Sequence, residues 1–305
     1  LIINRYKHIY NIYIKIKIFL LLINTILSIN SYSLNSNLNV YKRVYDDKFI
    51  KVYEPKNINK KELTSLVFYT GANSMIPGDI YSNFVKSLTE FNFSVNIVNN
   101  HNDITNKFLY DINNQYKEII ALTHSSGYVN AIQTINNHKN INRAIFLDPV
   151  DNSKLVNFKM ENNFEKLFTF INKFNNIDNN NDNINNDDDD MKLNNIDDVL
   201  IINAGKSYKW SNFQVPFIPV FSLNVDKLQE NNKDLIIEKI DAEEYGHSDV
   251  LDSLWSDLMH VSLSKGNDNR DFENLDNYHT WLSKQIYDFV VKDEVYDDQT
   301  YYALE

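Results

Sequence analysis

Short apolar runs recur along the chain and alternate with stretches whose apolar residues have helical spacing. The runs predict buried strands at 65–69, 93–98, 119–122, 143–147, 199–203 and 235–240. Helical spacing predicts helices at 81–91, 112–118, 129–135 and 277–291. A loosely alternating stretch predicts an early hairpin at 40–53, and Gly/Pro-containing segments predict loops at 70–73 and 77–78. The alternation of strands and helices predicts an α/β domain with a mostly parallel central sheet and helices on both faces.

One internal stretch breaks this pattern. Residues 175–198 are rich in asparagine and aspartate, with consecutive aspartates at 187–190. A segment of this composition cannot bury enough apolar surface to offset its loss of conformational entropy. We therefore predict a disordered surface insertion at about 175–198.

The first 33 residues have the layout of a secretory signal. Small residues at 31 and 33 follow an apolar run at 18–23, and the basic residues before that run are Arg5, Lys7, Lys15 and Lys17. This layout predicts a signal or targeting segment at 1–33, with an uncleaved amphipathic anchor and peripheral membrane contact as the alternative. We expect entry into the secretory pathway, with secretion or, in a plastid-bearing host, a plastid as the destination. One domain at 34–305 is expected to follow.

The composition narrows the function classes. The 305-residue chain has a formal net charge of −11, which argues against nucleic-acid binding. It contains no cysteine, which excludes disulfides, thiol catalysis and thiolate metal sites. The aspartates at 187–190 lack the glycine and the closing glutamate of a calcium loop, and no phosphate-binding loop is present. We therefore predict neither a metal nor another cofactor.

The clearest chemical signal directly follows the apolar run at 119–122. The sequence Thr123-His124-Ser125-Ser126-Gly127 predicts a sharp turn between a strand and a helix. Such a turn lifts a serine above the sheet and needs modest side chains two positions before and after it, here Thr123 and Gly127. We predict Ser125 as a nucleophile and Ser126 as its nearest competitor. The alternative is an ordinary helix N-terminus that one of these serines caps.

A serine nucleophile needs a base, and the base needs an acceptor that holds its tautomer. Asp148 follows the strand at 143–147 and precedes a proline, so we expect its carboxylate at the same sheet edge as Ser125. Asp151 is the alternative acid. His247 lies on a turn after the last strand and is predicted as the base. His124 is expected to point away from the site.

Acyl transfer also needs N–H donors for the oxyanion. One expected donor is the backbone N–H of Ser126, and the other is that of Gly71 or Ala72 in the loop after the first buried strand. The alternative for Gly71 is that it only permits a tight turn. The chain order serine, aspartate, histidine is that of an α/β-hydrolase triad and predicts ester hydrolysis.

These segments resemble chlorophyllase and its relatives in the α/β-hydrolase superfamily. The matching segments are His124-Ser125-Ser126-Gly127, then Asp148-Pro149-Val150-Asp151, then Tyr245-Gly246-His247-Ser248-Asp249-Val250-Leu251-Asp252. The resemblance covers roughly 64–290 apart from the insertion, and it implies the α/β-hydrolase fold. It also implies Ser125 as nucleophile, Asp148 as acid and His247 as base. The chain departs from the family pattern at Thr123, which replaces the elbow glycine, and at Thr70, which replaces a histidine.

The resemblance implies hydrolysis of a hydrophobic small-molecule ester, with chlorophyll as the first candidate and a role in chlorophyll catabolism. Large apolar residues fit such a substrate or, equally, a core or lid; they are Trp210, Phe213, Phe217, Phe221 and Trp255. One alternative is a lipase or general carboxylesterase with the same triad. Another is a non-catalytic binding protein of the same fold, which the departures at Thr123 and Thr70 favour.

Overall fold

The computed structural model describes residues 41–46, 50–74, 76–98, 103–151, 192–205, 221–256 and 273–302. All of them belong to one compact unit, Val40–Glu305. The predicted signal segment at 1–33 and the part of the predicted insertion at 175–191 lie outside the described residues.

Eight strands form one sheet. The strands among the described residues are β1 (Tyr41–Asp46), β2 (Ile50–Pro55), β3 (Thr64–Tyr69), β4 (Ser94–Val98), β5 (Glu118–His124), β6 (Ile141–Leu147), β7 (Val150–Asp151), β8 (Asp198–Ala204), β9 (Phe221–Ser222) and β10 (Ile236–Ala242). The sheet has the order β1-β2-β4-β3-β5-β6-β8-β10, and β7 pairs with β9 separately. Only β2 runs against the other strands of the large sheet, because it is antiparallel to both β1 and β4. This strand order confirms the predicted α/β-hydrolase fold.

Helices cover both faces of the sheet. The α-helices in the part of the chain that the structure describes are α1 (Gly71–Ser74), α2 (Ser82–Glu90), α3 (Asp103–Ile112), α4 (Gly127–Asn137), α5 (Val225–Asn231) and α6 (Glu273–Tyr302). Alternate residues of each strand face opposite sides. On one side Val67 and Phe146 share a core with Leu109 of α3 and Ile132 of α4. On the other side Phe68 packs edge-on against Phe84 of α2, at 6.0 Å between ring centroids.

Among the described residues, no helix is both long enough and apolar enough to span a bilayer.

Two of the predicted elements were wrong. The predicted helix at 112–118 is not formed. Instead α3 ends at Ile112, and a turn follows. Tyr116 in that turn is buried and donates a hydrogen bond from its hydroxyl to Glu54. The loop predicted at 70–73 contains the start of the short helix α1.

The predicted insertion reaches too far at its C-terminal end. Leu193 and Ile196 are buried and belong to the hydrophobic core. Asp198 begins β8 and forms an ion pair with Lys292 of α6, at 2.7 Å. Residues 192–198 are therefore part of the fold, since two apolar side chains anchor a stretch that its composition marked as disordered.

Glycine at 127 lets the backbone pass unusually close to β3 at the turn from β5 into α4. A Cβ on Gly127 would lie 2.4 Å from the carbonyl oxygen of Tyr69 and 2.5 Å from that of Thr70. Both oxygens belong to backbone at the end of β3, which cannot move aside without disturbing the central sheet. The N-terminus of α4 thus packs directly onto the neighbouring strand.

We expect Gly127→Ala to lower the free energy of unfolding by about 1–3 kcal/mol, because the added methyl overpacks a backbone contact. Equilibrium denaturation in urea measures this change. Gln133→Ala is the matched control, since Gln133 is an exposed residue of the same helix, and we expect it to change stability by less than about 0.5 kcal/mol. Equal destabilisation by the two substitutions would contradict the prediction.

Candidate active site

Ser125 lies at the tip of the turn between β5 and α4. Its φ of 55° places it in the left-handed region, which is uncommon for a residue with a side chain. Its backbone N–H donates to the carbonyl of Leu147, and its own carbonyl accepts from the N–H of Val150. The residues around the end of β6 therefore hold the serine in this strained conformation, and its side chain remains partly accessible.

The structure brings Ser125, His247 and Asp148 together. The Oγ of Ser125 lies 2.9 Å from Nε2 of His247. Nδ1 of His247 donates to Oδ2 of Asp148. The other carboxylate oxygen of Asp148 accepts from the backbone N–H of Ala204, at 3.2 Å. This arrangement can move a proton from the serine hydroxyl to the imidazole while the aspartate holds the ring and stabilises its charged form.

The two alternative residues, Ser126 and Asp151, occupy other positions along the backbone. Ser126 is the N-cap residue of α4 and makes no capping hydrogen bond with its side chain. The backbone of Asp151 pairs with Phe221 in the small sheet, whereas Asp148 directly follows β6 and meets His247. A positive φ of 40° at Asp148 helps to turn its carboxylate back over the sheet edge.

Two of the other histidines are held by structural contacts. His138 follows α4 and hydrogen-bonds to Asn106 through Nε2, at 3.3 Å. His279 of α6 donates from Nε2 to the carbonyl oxygen of Asp249, at 3.0 Å. The other three histidines of the chain, His8, His101 and His260, lie outside the described residues.

The turn that carries His247 is held by its own acidic residues. The carboxylate of Asp249 accepts from the N–H of Gly246 at 2.7 Å and from the hydroxyl of Ser256 at 2.8 Å. Asp252 reaches the N-terminus of α2, where its carboxylate accepts from the hydroxyl of Ser82 and from the N–H of Asn83. Burial raises the pKa of Asp252. The polar residues of this segment thus fix the position of His247.

The oxyanion donors predicted from the sequence need one correction. The N–H of Gly71 donates to the hydroxyl of Tyr81, at 3.0 Å, so this N–H does not point to a substrate oxygen. Ala72 follows it in α1, which packs against α4 through the hydrogen bond from Asn130 to Ser74. The N–H of Ser126 lies at the start of α4, next to the nucleophile. The backbone N–H groups of Ala72 and Ser126 are thus the remaining predicted donors.

The expectation for His124 was wrong. Its ring lies 4.9 Å from that of His247, and its Nε2 donates to the carbonyl oxygen of His247, at 2.9 Å. Its Nδ1 lies 2.9 Å from the hydroxyl of Tyr81. Alternation along β5 places His124 on the same face as Leu122, towards Tyr81, and the turn that carries His247 is anchored on that face through Asp252. Tyr81 begins the stretch predicted as a helix at 81–91, and its hydroxyl gave no sequence signal.

No group of three or more metal-ligating side chains occurs in the part of the chain that the structure describes.

Comparisons with known proteins give structural likeness only. No protein-family model matches the chain, and no curated protein matches it significantly. A variant of the esterase rPPE is 11% identical over 87% of this chain and 88% of its own, with a TM-score of 0.48. A putative esterase from Staphylococcus aureus is 12% identical, with coverages of 68% and 75% and a TM-score of 0.42. A thermostable esterase from Pseudomonas putida ECU1011 is 12% identical, with coverages of 71% and 77% and a TM-score of 0.41. Likeness at this level carries no information on function.

The buried His124 makes stability depend on pH. Burial, with the neighbouring His247 as a second cause, lowers the pKa of His124 from 6.5 to about 3. The unfolded chain binds a proton at this residue below pH about 6.5 and the folded chain does not. We therefore expect the free energy of unfolding to fall as the pH is lowered from about 6.5 towards 3, by at most about 1.4 kcal/mol per pH unit from this residue.

Chemical denaturation at about pH 7, 6 and 5 measures this slope in the wild type and in His124→Gln. Other groups with shifted pKa values, including His279, whose pKa burial also lowers, titrate in both proteins. The difference between the two slopes therefore isolates His124. A variant with the wild-type slope would contradict the assignment.

Proposed function

We propose that this chain is a carboxylic ester hydrolase with Ser125 as nucleophile, His247 as general base and Asp148 as the acid that orients it. The Oγ of Ser125 attacks the ester carbonyl carbon while Nε2 of His247 takes its proton. The same proton then leaves with the alcohol, and a water molecule hydrolyses the acyl-enzyme by the reverse sequence. The observation that carries the proposal is the contact between Ser125 and His247 at 2.9 Å, with Asp148 on the other ring nitrogen.

The developing oxyanion needs donors that are already in place. We assign this role to the backbone N–H groups of Ser126 and Ala72. Ser126 is the N-cap residue of α4, at the helix end where the helix dipole favours negative charge. Ala72 lies in α1, which packs beside the helix that follows Ser125.

The nucleophile is tested with a short p-nitrophenyl ester and with a fluorophosphonate probe. We expect Ser125→Ala to lower the rate of ester hydrolysis by about 10³-fold or more and to abolish labelling. Ser126→Ala removes the competing hydroxyl but keeps the backbone N–H, and we expect it to stay within about tenfold of the wild type. Loss of labelling in Ser126→Ala alone would reassign the nucleophile.

For the substrate we propose a hydrophobic ester, with chlorophyll as the first candidate. The resemblance of Asp148–Asp151 and of Tyr245–Asp252 to chlorophyllase supports this choice. Asp249 and Asp252 in the second segment also have a role in holding His247. Because that role serves any ester, the choice between a chlorophyllase and a lipase or general carboxylesterase needs a direct measurement.

Chlorophyll in detergent and a p-nitrophenyl ester separate these substrates. We expect the purified chain to release chlorophyllide and Ser125→Ala to release none, because phytyl ester cleavage needs the same nucleophile. Serine-dependent cleavage of the simple ester alone would move the substrate to lipids or other esters.

A non-catalytic binding protein is the second candidate, and one observation favours it. The N–H of Gly71 is bound to Tyr81, which leaves the loop after β3 with one donor fewer for an oxyanion. A folded chain that neither hydrolyses esters nor reacts with a fluorophosphonate would support this reading.

A further inference from the structure

A buried chain of hydrogen bonds crosses the site beneath the proposed triad. It begins at the N–H of Gly71, which donates to the hydroxyl of Tyr81 at 3.0 Å. The same hydroxyl lies 2.9 Å from Nδ1 of His124. Nε2 of His124 lies 2.9 Å from the carbonyl oxygen of His247. Tyr81, His124 and His247 are all at least 97% buried, so water does not compete for these groups.

The donor and the acceptor of each hydrogen bond in this series follow from the groups at its two ends. The carbonyl of His247 can only accept, so Nε2 of His124 carries the proton. Burial keeps the imidazole neutral at ordinary pH, which leaves Nδ1 of His124 as an acceptor for the Tyr81 hydroxyl. The oxygen of Tyr81 then accepts from Gly71. Each donor has one acceptor, and no second arrangement satisfies all of them.

The hydrogen bond between His124 and His247 uses neither ring nitrogen of His247. His124 binds the main-chain carbonyl of His247, whereas the ring nitrogens of His247 face Ser125 and Asp148. Ring packing adds to the restraint, because the His124 ring lies 4.9 Å from that of His247 and 5.7 Å from that of Tyr81. Tyr81 in turn packs edge-on against Phe68 of the central sheet, at 5.0 Å.

We propose that Tyr81 and His124 are positioning residues that hold the His247 turn and the α1 segment, which begins at Gly71, in fixed relation across the site. This inference rests on the proposed ester hydrolysis. The series of hydrogen bonds joins the turn that carries the base to the short helix that carries Ala72. Loss of a link would displace the base and a proposed oxyanion donor relative to Ser125, and a displacement of about 1 Å can slow a reaction about 10²-fold.

The decisive variant is Tyr81→Phe, which removes one hydroxyl and keeps the packed ring. Tyr116→Phe is the matched control, because Tyr116 is also buried and donates its hydroxyl to Glu54. Tyr116 lies just before β5, whereas His124 ends that strand, so the control residue lies at the opposite end of the strand from the site. Rates with a p-nitrophenyl ester and second-order labelling of Ser125 by a fluorophosphonate are measured for both.

We expect Tyr81→Phe to lower kcat and the labelling rate by about 10- to 100-fold with KM within threefold, because positioning acts on the transition state. Tyr116→Phe should stay within threefold of the wild type in both rates. A Tyr81→Phe variant that matches Tyr116→Phe in rate, with similar losses of stability, would overturn the inference.

A second comparison separates positioning from folding. We expect His124→Gln, whose amide can still donate to the carbonyl of His247, to keep at least tenfold more activity than His124→Leu. The double variant Tyr81→Phe/His124→Leu should be no slower than His124→Leu alone, because the two residues act in series. Losses that multiply would overturn the inference. Hydrolysis or labelling that survives Ser125→Ala would instead overturn the proposed function itself, and this inference with it.

Discussion

The contact of Gly127 with the end of β3 is the constraint on which the site depends. The missing side chain lets α4 begin against two backbone carbonyls, and this close approach forces the chain through the tight turn that carries Ser125. This tight turn gives Ser125 its positive φ and leads into α4, which packs beside α1. The nucleophile and the nearby backbone donors are therefore consequences of one steric contact between a helix and a strand.

The proposed base is held by a different part of the molecule. Its turn is attached to α2 through Asp252 and to α6 through the bond from His279 to Asp249. Both helices cover the face of the sheet opposite the main core cluster. The site thus joins two parts of the fold, and polar residues beside His247 attach its turn to both helices.

Sequence patterns predicted most of the sheet because buried parallel strands are continuous apolar runs, as at 65–69 and 199–203. They predicted Ser125, Asp148 and His247 from their places after such runs, and the structure brings these three residues together. The contact of His124 was missed because nothing in the sequence shows that the His247 turn is anchored on the same face of the sheet. The bond from Gly71 to Tyr81 was missed because it joins segments that only the folded backbone brings together.

The backbone bonds at the elbow have a consequence for how this scaffold changes over time. The N–H and carbonyl of Ser125 are bound to Leu147 and Val150, on either side of Asp148, without help from any side chain. These backbone hydrogen bonds therefore do not depend on which side chain stands at position 125. Another nucleophile, or an inert side chain, would occupy the same point in space, so a lineage can exchange or abandon a reaction here while its architecture is inherited intact.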